Sequence, residues 1–325
     1  TMLGINHWVL YDIDTDSQDN VYCIGRSLGG DPTEFGDTSL FGSGVIVLKL
    51  DSDLNPIWGR KTVDNGEFNH QQFGITVDGN DLVNLTWVSV ASNGGGVQFL
   101  NEGLGVSYSE PIQLVKISDD AALLNHHAIN VSASGTAWNY FNINTYNGPV
   151  SDSAGNLFIH GTVNSNSPTN LSIDGEVIGS ASTPFLLKYD NSFNLEWHKA
   201  ISSSFNDNPG MIWINNNELV ISSQLWTNGV PNSSGNCNIG TYQFPSNGGL
   251  LFAGLNPADG SVNWAKTTSE NDSLGIDGGP IFGVDNHKGI VFTCTAMMGN
   301  IGIQQVQIDG LTFTSSLLYT AMIGK

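Results

Sequence analysis

Apolar residues occur along the chain in short runs, and each run follows a turn rich in Asp or Asn. This arrangement occurs in five segments, which read DTDSQDNVYCIG, TVDGNDLVNLTW, VSDSAGNLFIHG, WINNNELVISSQ and GVDNHKGIVFTC. Each segment is followed by an apolar strand, a second turn and a further strand, as in VIVLKLDSDLNPIWGRK. Short apolar runs between turn residues predict β-strands, and helical periodicity is nearly absent. The chain is therefore predicted to be all-β and to consist of repeats.

The spacing of these repeats predicts the architecture. Residues Lys49, Lys116, Lys188, Gly254 and Gln307 are taken as equivalent positions, which recur at intervals of 67, 72, 66 and 53 residues and give units of about 65 residues. In the first repeat the strands are predicted over 8–14, 20–27, 44–51 and 56–62. Four short strands in a repeat of this length are typical of a propeller blade. We therefore predict one five-bladed β-propeller domain over residues 1–325, with four antiparallel strands per blade and blades of approximately 1–63, 64–128, 129–201, 202–268 and 269–325.

The third repeat carries a resemblance to a known family. Its segments SDSAGNLFIHG and PFLLKYDNSFNLEWHK resemble the bacterial β-propeller repeat family often called SBBP. The resemblance extends over nearly all residues at the level of the repeat, and it implies the propeller fold without implying an activity. Two repeats depart from the pattern, because Asn125 and Leu317 stand where the other repeats have Trp58, Trp197 and Trp264.

Charge and cysteine content exclude several classes of partner. The chain has 30 acidic and 10 basic residues, which give a formal net charge of −20. A phosphate backbone would be repelled, and no apolar run approaches the length of a membrane span, so neither nucleic acid binding nor membrane insertion is predicted. The three cysteines, Cys23, Cys237 and Cys294, form no CxxC spacing and indicate no disulfide framework.

The acidic segment YDIDTDSQDN, residues 11–20, poses the question of a calcium site. Asp12, Asp14 and Asp16 match the first three ligand positions of a calcium loop. The match then fails, because Ser17 replaces the turn glycine and Cys23 stands where a bidentate Glu is required. Since the other repeats carry a similar turn, Asx side chains that bond their own backbone are the favoured interpretation, with weak calcium binding as the alternative.

Other side chains recur at fixed repeat positions. Trp58, Trp197 and Trp264 are predicted to pack between blades. Six basic residues are predicted to pair with blade carboxylates while their stems cover apolar surface: Lys49, Lys116, Lys188, Arg60, Lys199 and Lys266. The adjacent His126 and His127 should face opposite sides of a strand, so that they could not chelate one metal together.

Candidate ligand-binding residues are predicted at one mouth of the central funnel, where the chain enters the innermost strands. They are His7, Trp8, Asn69, His70, Tyr140, Asn206, Asp207 and Asp277. Aromatic faces together with amide and carboxylate groups suit sugar hydroxyls. The same mixture also suits a plain solvated rim, and the Asn-His pairs at 6–7 and 69–70 also suit a structural role in the repeat.

The function predicted from these features is non-catalytic. The long loops at about 28–43, 92–111, 164–183 and 227–247 differ between repeats and are predicted to recognise partners. The hypothesis is a recognition or structural module displayed outside a cell or on a phage virion, in a tail or fibre, contacting surface glycans or partner proteins. One alternative is a secreted glycoside hydrolase or lyase whose funnel carboxylates include Asp12, although no acid stands on the inner strand MIWIN of the fourth repeat. Another alternative is a structural spacer in a larger assembly.

Overall fold

A computed structural model gives the fold of the described residues. These are 8–29, 33–65, 68–91, 96–100, 102–104, 112–133, 142–143, 148–164, 170–180, 183–202, 208–215, 217–225, 235–246, 249–267, 269–270, 274–276, 281–284, 290–298, 304–308, 311–315 and 319–324. Over these ranges the regular elements are all β-strands, and every pairing is antiparallel. The prediction of an all-β chain is confirmed. Within the same ranges no helix is long and apolar enough to cross a membrane.

The strands are grouped into five units in chain order. The first unit contains β1 (Trp8–Thr15), β2 (Val21–Leu28), β3 (Thr33–Phe35), β4 (Thr38–Leu40), β5 (Ser43–Leu50), β6 (Pro56–Lys61) and β7 (Val63–Asn65). The second contains β8 (Phe68–Val77), β9 (Val83–Ala91), β10 (Gly96–Phe99), β11 (Glu102–Leu104), β12 (Ile112–Ile117), β13 (Leu123–Ile129) and β14 (Val131–Ala133). The third contains β15 (Asn142–Ile143), β16 (Val150–Ser151), β17 (Leu157–Asn164), β18 (Asn170–Ile173), β19 (Glu176–Ser180), β20 (Pro184–Tyr189) and β21 (Leu195–Ser202).

The last two units contain the remaining strands. The fourth contains β22 (Asn208–Asn215), β23 (Glu218–Leu225), β24 (Gly235–Ile239), β25 (Tyr242–Ser246), β26 (Gly249–Leu255), β27 (Val262–Thr267) and β28 (Ser269–Glu270). The fifth contains β29 (Leu274–Ile276), β30 (Ile281–Val284), β31 (Ile290–Met298), β32 (Gln304–Ile308), β33 (Leu311–Ser315) and β34 (Tyr319–Gly324).

An order of four strands recurs in the first four units, and in the third unit it is part of a seven-stranded sheet that also includes β15, β24 and β25. The strand orders are β1-β2-β5-β6 (sheet one), β8-β9-β12-β13 (sheet two), β16-β17-β20-β21 (sheet three) and β22-β23-β26-β27 (sheet four). In the fifth unit β31 pairs with β30, β29 and β34. The four strands predicted for the first unit are therefore confirmed to within a residue or two at each end.

The insertion between the second and third strands of each unit is a β-hairpin rather than an irregular loop. In units two to five the first strand of the hairpin pairs with the last strand of the preceding unit. The pairs are β10 with β7, β18 with β14, β24 with β21 and β32 with β28. These hairpins were not predicted from the sequence because their strands are only three to five residues long. Pairing them with a neighbour satisfies backbone groups that would otherwise be left at sheet edges.

The predicted equivalence of Gln307 with Lys49 is wrong. Lys49 lies on β5, which pairs with the second strand of its unit, whereas Gln307 lies on β32, which pairs with β33 and β28. The strand that pairs with β31 in the corresponding way is β34. A hairpin and a pair of sheet strands share the same apolar-turn-apolar pattern, so sequence alone could not distinguish them. Leu317, which depended on this alignment, lies outside the described residues.

The hydrophobic core lies between consecutive sheets. Tyr22, Val47 and Trp58 of sheet one form a cluster with Ile75 and Trp87 of sheet two. Corresponding clusters join sheet two to sheet three and sheet three to sheet four. Each large apolar side chain buried in this way contributes about 1.5–3 kcal/mol. Buried apolar residues on facing strands thus hold neighbouring sheets together.

The first strands of successive sheets also pack against one another. β1 packs against β8, β8 against β16, β16 and β17 against β22, and β22 against β30. Glycines permit the closest approach, because a Cβ added to Gly74 on β8 would lie 2.3 Å from the Cα of Gly148. A residue with a Cβ atom would therefore clash at this point between the second and third sheets.

Candidate functional site

The acidic segment at the start of the chain is a hydrogen-bonded turn. Asp16 Oδ1 accepts the backbone N–H groups of Gln18 and Asn20, both at 2.9 Å. Its Oδ2 accepts the Asn20 side-chain amide at 2.8 Å and the Tyr22 hydroxyl at 3.1 Å. Burial raises the pKa of the Asp16 carboxyl, but these hydrogen bonds outweigh it and hold the pKa below its ordinary value. The favoured interpretation of this segment as an Asx turn is confirmed.

The same turn recurs throughout the chain. In each copy an Asp accepts the N–H groups two and four residues later and the side-chain amide of an Asn four residues later. The further copies are Asp51 with Asn55, Asp152 with Asn156 and Asp190 with Asn194. Aspartates at these positions therefore have a local reason to be present, independent of any ligand.

Asp12 and Asp14 bind the neighbouring sheet. Asp12 Oδ2 accepts the N–H of Ile75 at 2.9 Å, and Asp14 Oδ2 accepts the N–H of Val77 at 2.7 Å. Both acceptors lie on β1 and both donors on β8, so two alternate carboxylates bind two alternate backbone N–H groups. Burial raises the pKa of Asp12, against the lowering effect of its hydrogen bonds to Ile75 and Ile13.

These contacts direct the three predicted calcium ligands to different places. Asp12 and Asp14 bind β8, whereas Asp16 binds its own turn. Across the residues with described placement, no group of three or more His, Cys, Asp or Glu side chains is arranged to hold a metal ion. Calcium binding by this segment stays a prediction.

The recurring tryptophans donate hydrogen bonds across sheet boundaries. Trp58 Nε1 donates to the carbonyl of Asp119 at 2.9 Å, and Trp197 Nε1 donates to that of Pro257 at 3.3 Å. Both acceptors lie at the second position of the turn between the last two strands of the next sheet. Asn125, which replaces Trp in the second unit, donates its amide to the Ser192 carbonyl of the next sheet at 2.9 Å. The predicted packing between units is confirmed for Trp58 and Trp197, whereas Trp264 donates to Glu218 of its own unit at 2.9 Å.

The recurring lysines are buried beside carboxylates. Lys49 Nζ lies 3.8 Å from Asp119 and 4.0 Å from Asp16, and Lys188 Nζ lies 2.7 Å from Glu196. Lys116 Nζ lies 3.9 Å from Asp78. Among the remaining predicted cations, Arg60 pairs with Asp37 at 2.9 Å. The prediction that these cations pair with carboxylates of the scaffold is confirmed for these four.

The predicted funnel mouth is described only in part. Trp8 packs at a tilt against Phe35, with ring centroids 6.1 Å apart. Asn69 and His70 lie on β8 opposite Val90 and Ser89. The other five predicted ligand residues lie outside the described residues: His7, Tyr140, Asn206, Asp207 and Asp277. Whether these eight residues form one site therefore stays a prediction.

A cleft of about 770 Å³ lies between sheets two and three, at their outer strands. Its lining includes His126 and His127 of β13, Asp174 of the turn between β18 and β19, Glu176 at the start of β19, and Phe193 of the turn between β20 and β21. We call it the histidine cleft. Its volume falls within the usual range for small-molecule sites.

Asp174 is the centre of the histidine cleft's hydrogen bonding. Its Oδ2 lies 2.9 Å from His127 Nε2 and accepts the Tyr189 hydroxyl at 2.8 Å. Its Oδ1 accepts the N–H of Asn130 at 2.8 Å. Burial raises the pKa of Asp174, but these three hydrogen bonds outweigh it, so the pKa lies below its ordinary value and the carboxyl is ionised at neutral pH.

The sequence analysis did not predict the histidine cleft. It considered His126 and His127 only as a metal pair, and it did not consider Asp174 because the hairpin turn between β18 and β19 was taken for a loop. An Asp-Gly dipeptide between two apolar segments is a hairpin signal. Asp174 and Gly175 lie between LSI (171–173) and EVI (176–178), so this signal could have revealed the turn.

No protein-family model matches this chain, and no curated protein shows significant similarity to it.

Proposed function

We propose that this chain is a five-bladed β-propeller that acts as a non-catalytic recognition module, displayed outside a cell or on a virion, and that it binds surface glycans or partner proteins. The repeated four-stranded sheets and the succession of β1, β8, β16, β22 and β30 support the propeller. In a propeller the first strand of each blade lies nearest the central axis, so the first strands of successive blades contact one another. The contacts of β1, β8, β16, β22 and β30 follow this order.

The observation that carries the non-catalytic part is the bonding of Asp12 and Asp14. A glycoside hydrolase of this fold would require free carboxylates on the innermost strands, one as an acid and one as a base or nucleophile. Both carboxylates of β1 are instead used to bind backbone N–H groups of β8. Their contribution is therefore to the joint between two sheets.

The histidine cleft is the proposed ligand site. Imidazole, amide and carboxylate groups from sheet two, the β18–β19 hairpin and sheet three line one space, where they can form paired hydrogen bonds with hydroxyl groups of a sugar. The ionised Asp174 is already held by three donors, so its position is fixed before any ligand arrives. Such a preorganised acceptor reduces the entropy lost on binding.

The test is a panel of bacterial and algal polysaccharides, scored both for retained protein and for released oligosaccharide by mass spectrometry. We expect retention without release, lost on Glu176→Gln or His126→Ala and kept on Val177→Ala, whose side chain is exposed on the same hairpin. Retention that survives both cleft substitutions would exclude the histidine cleft as the site. If no polysaccharide is retained, glycan recognition is refuted and the structural spacer becomes the leading hypothesis.

A specific observation favours catalysis as the second candidate. Burial raises the pKa of Asp12, and a raised pKa is what a general acid requires. Release of oligosaccharide that is abolished in a folded Asp12→Asn variant would replace recognition by hydrolysis. Asp14→Asn is the matched second variant, since Asp14 makes the equivalent bond to β8.

A further inference from the structure

Three side chains of different elements converge at the joint between sheets two and three. Lys116 Nζ contacts Asn191 Oδ1 and lies 3.9 Å from Asp78 Oδ2. The side chains of Lys116 and Asp78 are 3% and 0% exposed. Asp78 Oδ2 accepts no hydrogen bond from the residues that the structure describes, although it is fully buried. A buried amine, an amide and an otherwise unbonded carboxylate oxygen thus share one small space.

Gly155 provides the room for this arrangement. A Cβ added there would lie 2.8 Å from Asp78 Oδ2, 3.0 Å from Asn191 Oδ1 and 3.1 Å from Asn191 Cγ. The carboxylate oxygen and the amide carbon of Asn191 are therefore neighbours over the same glycine. The Gly155 carbonyl is 3.5 Å from Lys116 Nζ, and the ring of Phe193 lies 5.4 Å from it.

We propose that Lys116 and Asn191 form an intramolecular isopeptide bond, which joins sheet two covalently to sheet three. The neutral Lys116 amine attacks Cγ of Asn191 and forms the new C–N bond. Asp78 takes the proton from Nζ and passes it to the departing Asn191 nitrogen. The old C–N bond breaks, ammonia leaves, and Asp78 returns to its starting state. The reaction needs no oxidant and no cofactor.

Burial of Lys116 favours the neutral amine that this reaction requires, although Nζ also donates to the backbone carbonyl of Asn191 at 2.9 Å. Burial lowers the pKa of Lys116, and the charges of Asp78 and Asp190 oppose that effect without cancelling it. A buried lysine with a lowered pKa is a better nucleophile at neutral pH than an exposed one. Exclusion of water also protects the product amide from hydrolysis.

The chain contains its own control at the joint between sheets one and two. There Lys49 lies 4.0 Å from Asp16, which corresponds to Asp78, and the position of Asn191 is occupied by Asp119. The Asp119 carboxylate is 3.8 Å from Lys49 Nζ and its side chain is 63% exposed. A carboxylate is a poor electrophile because it carries a negative charge, so Lys49 forms an ion pair with Asp119 and donates a hydrogen bond to its backbone carbonyl at 3.2 Å.

The proposal is tested by mass spectrometry of the denatured wild-type protein. We expect an intact mass lower than the sequence mass by one ammonia, and a tryptic digest in which the peptides containing Lys116 and Asn191 are joined. Trypsin should not cleave after Lys116. Lys116→Arg and Asp78→Ala should each restore the full mass, whereas Lys49→Arg should keep the deficit.

Two results would overturn the proposal. One is a full intact mass with cleavage after Lys116, which leaves an ordinary hydrogen bond between the two side chains. The other is a deficit of one ammonia without joined peptides, because an Asn that cyclises on its own backbone also loses ammonia. Both results come from the wild-type protein, so they do not depend on whether a variant folds.

Discussion

His160 should make the fold sensitive to mild acid. This side chain lies on β17, is 1% exposed, and its Nε2 is 3.2 Å from Ser223 Oγ on β23 of the next sheet. Burial lowers its pKa from 6.5 to about 4, and backbone groups of Met211 and Gly210 act in the opposite direction. The folded protein therefore keeps His160 neutral under conditions in which the unfolded chain takes up a proton.

The sign and size of the effect follow from this difference. Between pH 6.5 and about 4 the unfolded chain binds more protons at this position than the folded protein, so stability falls as the pH falls. Each pKa unit corresponds to about 1.4 kcal/mol, so the complete loss is about 3 kcal/mol. The loss begins near pH 6.5 and is complete only below about pH 4.

The perturbation is His160→Gln, which keeps a hydrogen-bonding group beside Ser223 and removes the titration. The free energy of unfolding in urea is measured for both proteins from pH 7 to pH 4. We expect the variant to lose about 3 kcal/mol less than the wild type over this range. His126→Gln, in the histidine cleft, is the control and should follow the wild type.

Two results would refute the reasoning. One is a pair of parallel stability curves for the wild type and His160→Gln. The other is a folded-state titration of the His160 ring by NMR with a pKa near 6.5, the ordinary value for histidine. Either would mean that the side chain is solvated or paired in its charged form.

Three further predictions concern single side chains of the fold, each measured by urea unfolding. Trp58→Phe should cost about 1 kcal/mol through loss of a 2.9 Å hydrogen bond to the next sheet, and Trp197→Phe should cost less because its bond is 3.3 Å; equal costs would contradict this account. Asp16→Ala should cost about 2–4 kcal/mol and Asp51→Ala less, since both side chains accept several hydrogen bonds but only Asp16 is buried. The reverse order would refute this account, and a calcium-dependent melting temperature lost in Asp16→Ala would favour the metal alternative. Gly25→Ala should cost several kcal/mol or prevent folding, because the added Cβ would lie 2.2 Å from a backbone oxygen of β1, and a near-neutral effect would contradict this geometry.

Much of the local structure was readable from the sequence. The turn at Asp16 could be predicted because an Asp or Asn side chain bonds its own backbone within four residues, and such bonds do not depend on distant parts of the chain. The strands could be predicted because apolar runs between such turns form β-structure over short distances. The roles of Trp58 and Lys49 between sheets followed from their recurrence at one repeat position.

The predictions failed where the partner of a strand had to be known. Gln307 was assigned to a sheet strand because β32 and β33 have the same apolar-turn-apolar pattern as β5 and β6. Only the pairing of β32 with β28, a strand of the preceding unit, distinguishes them. Strand partners are chosen by contacts between residues far apart in sequence, which a local pattern does not encode.

The sequence by itself thus determined the main strands, the turns and the repeat, because these depend on short apolar runs and on side chains that bond nearby backbone. The tertiary structure alone decided which side chains from different repeats meet. It set Asp12 against the backbone of β8, gathered His127, Tyr189 and Asp174 around one cleft, and brought Lys116, Asp78 and Asn191 together over Gly155. Each of these meetings depends on the packing of one sheet against the next, which fixes distances between residues tens of positions apart.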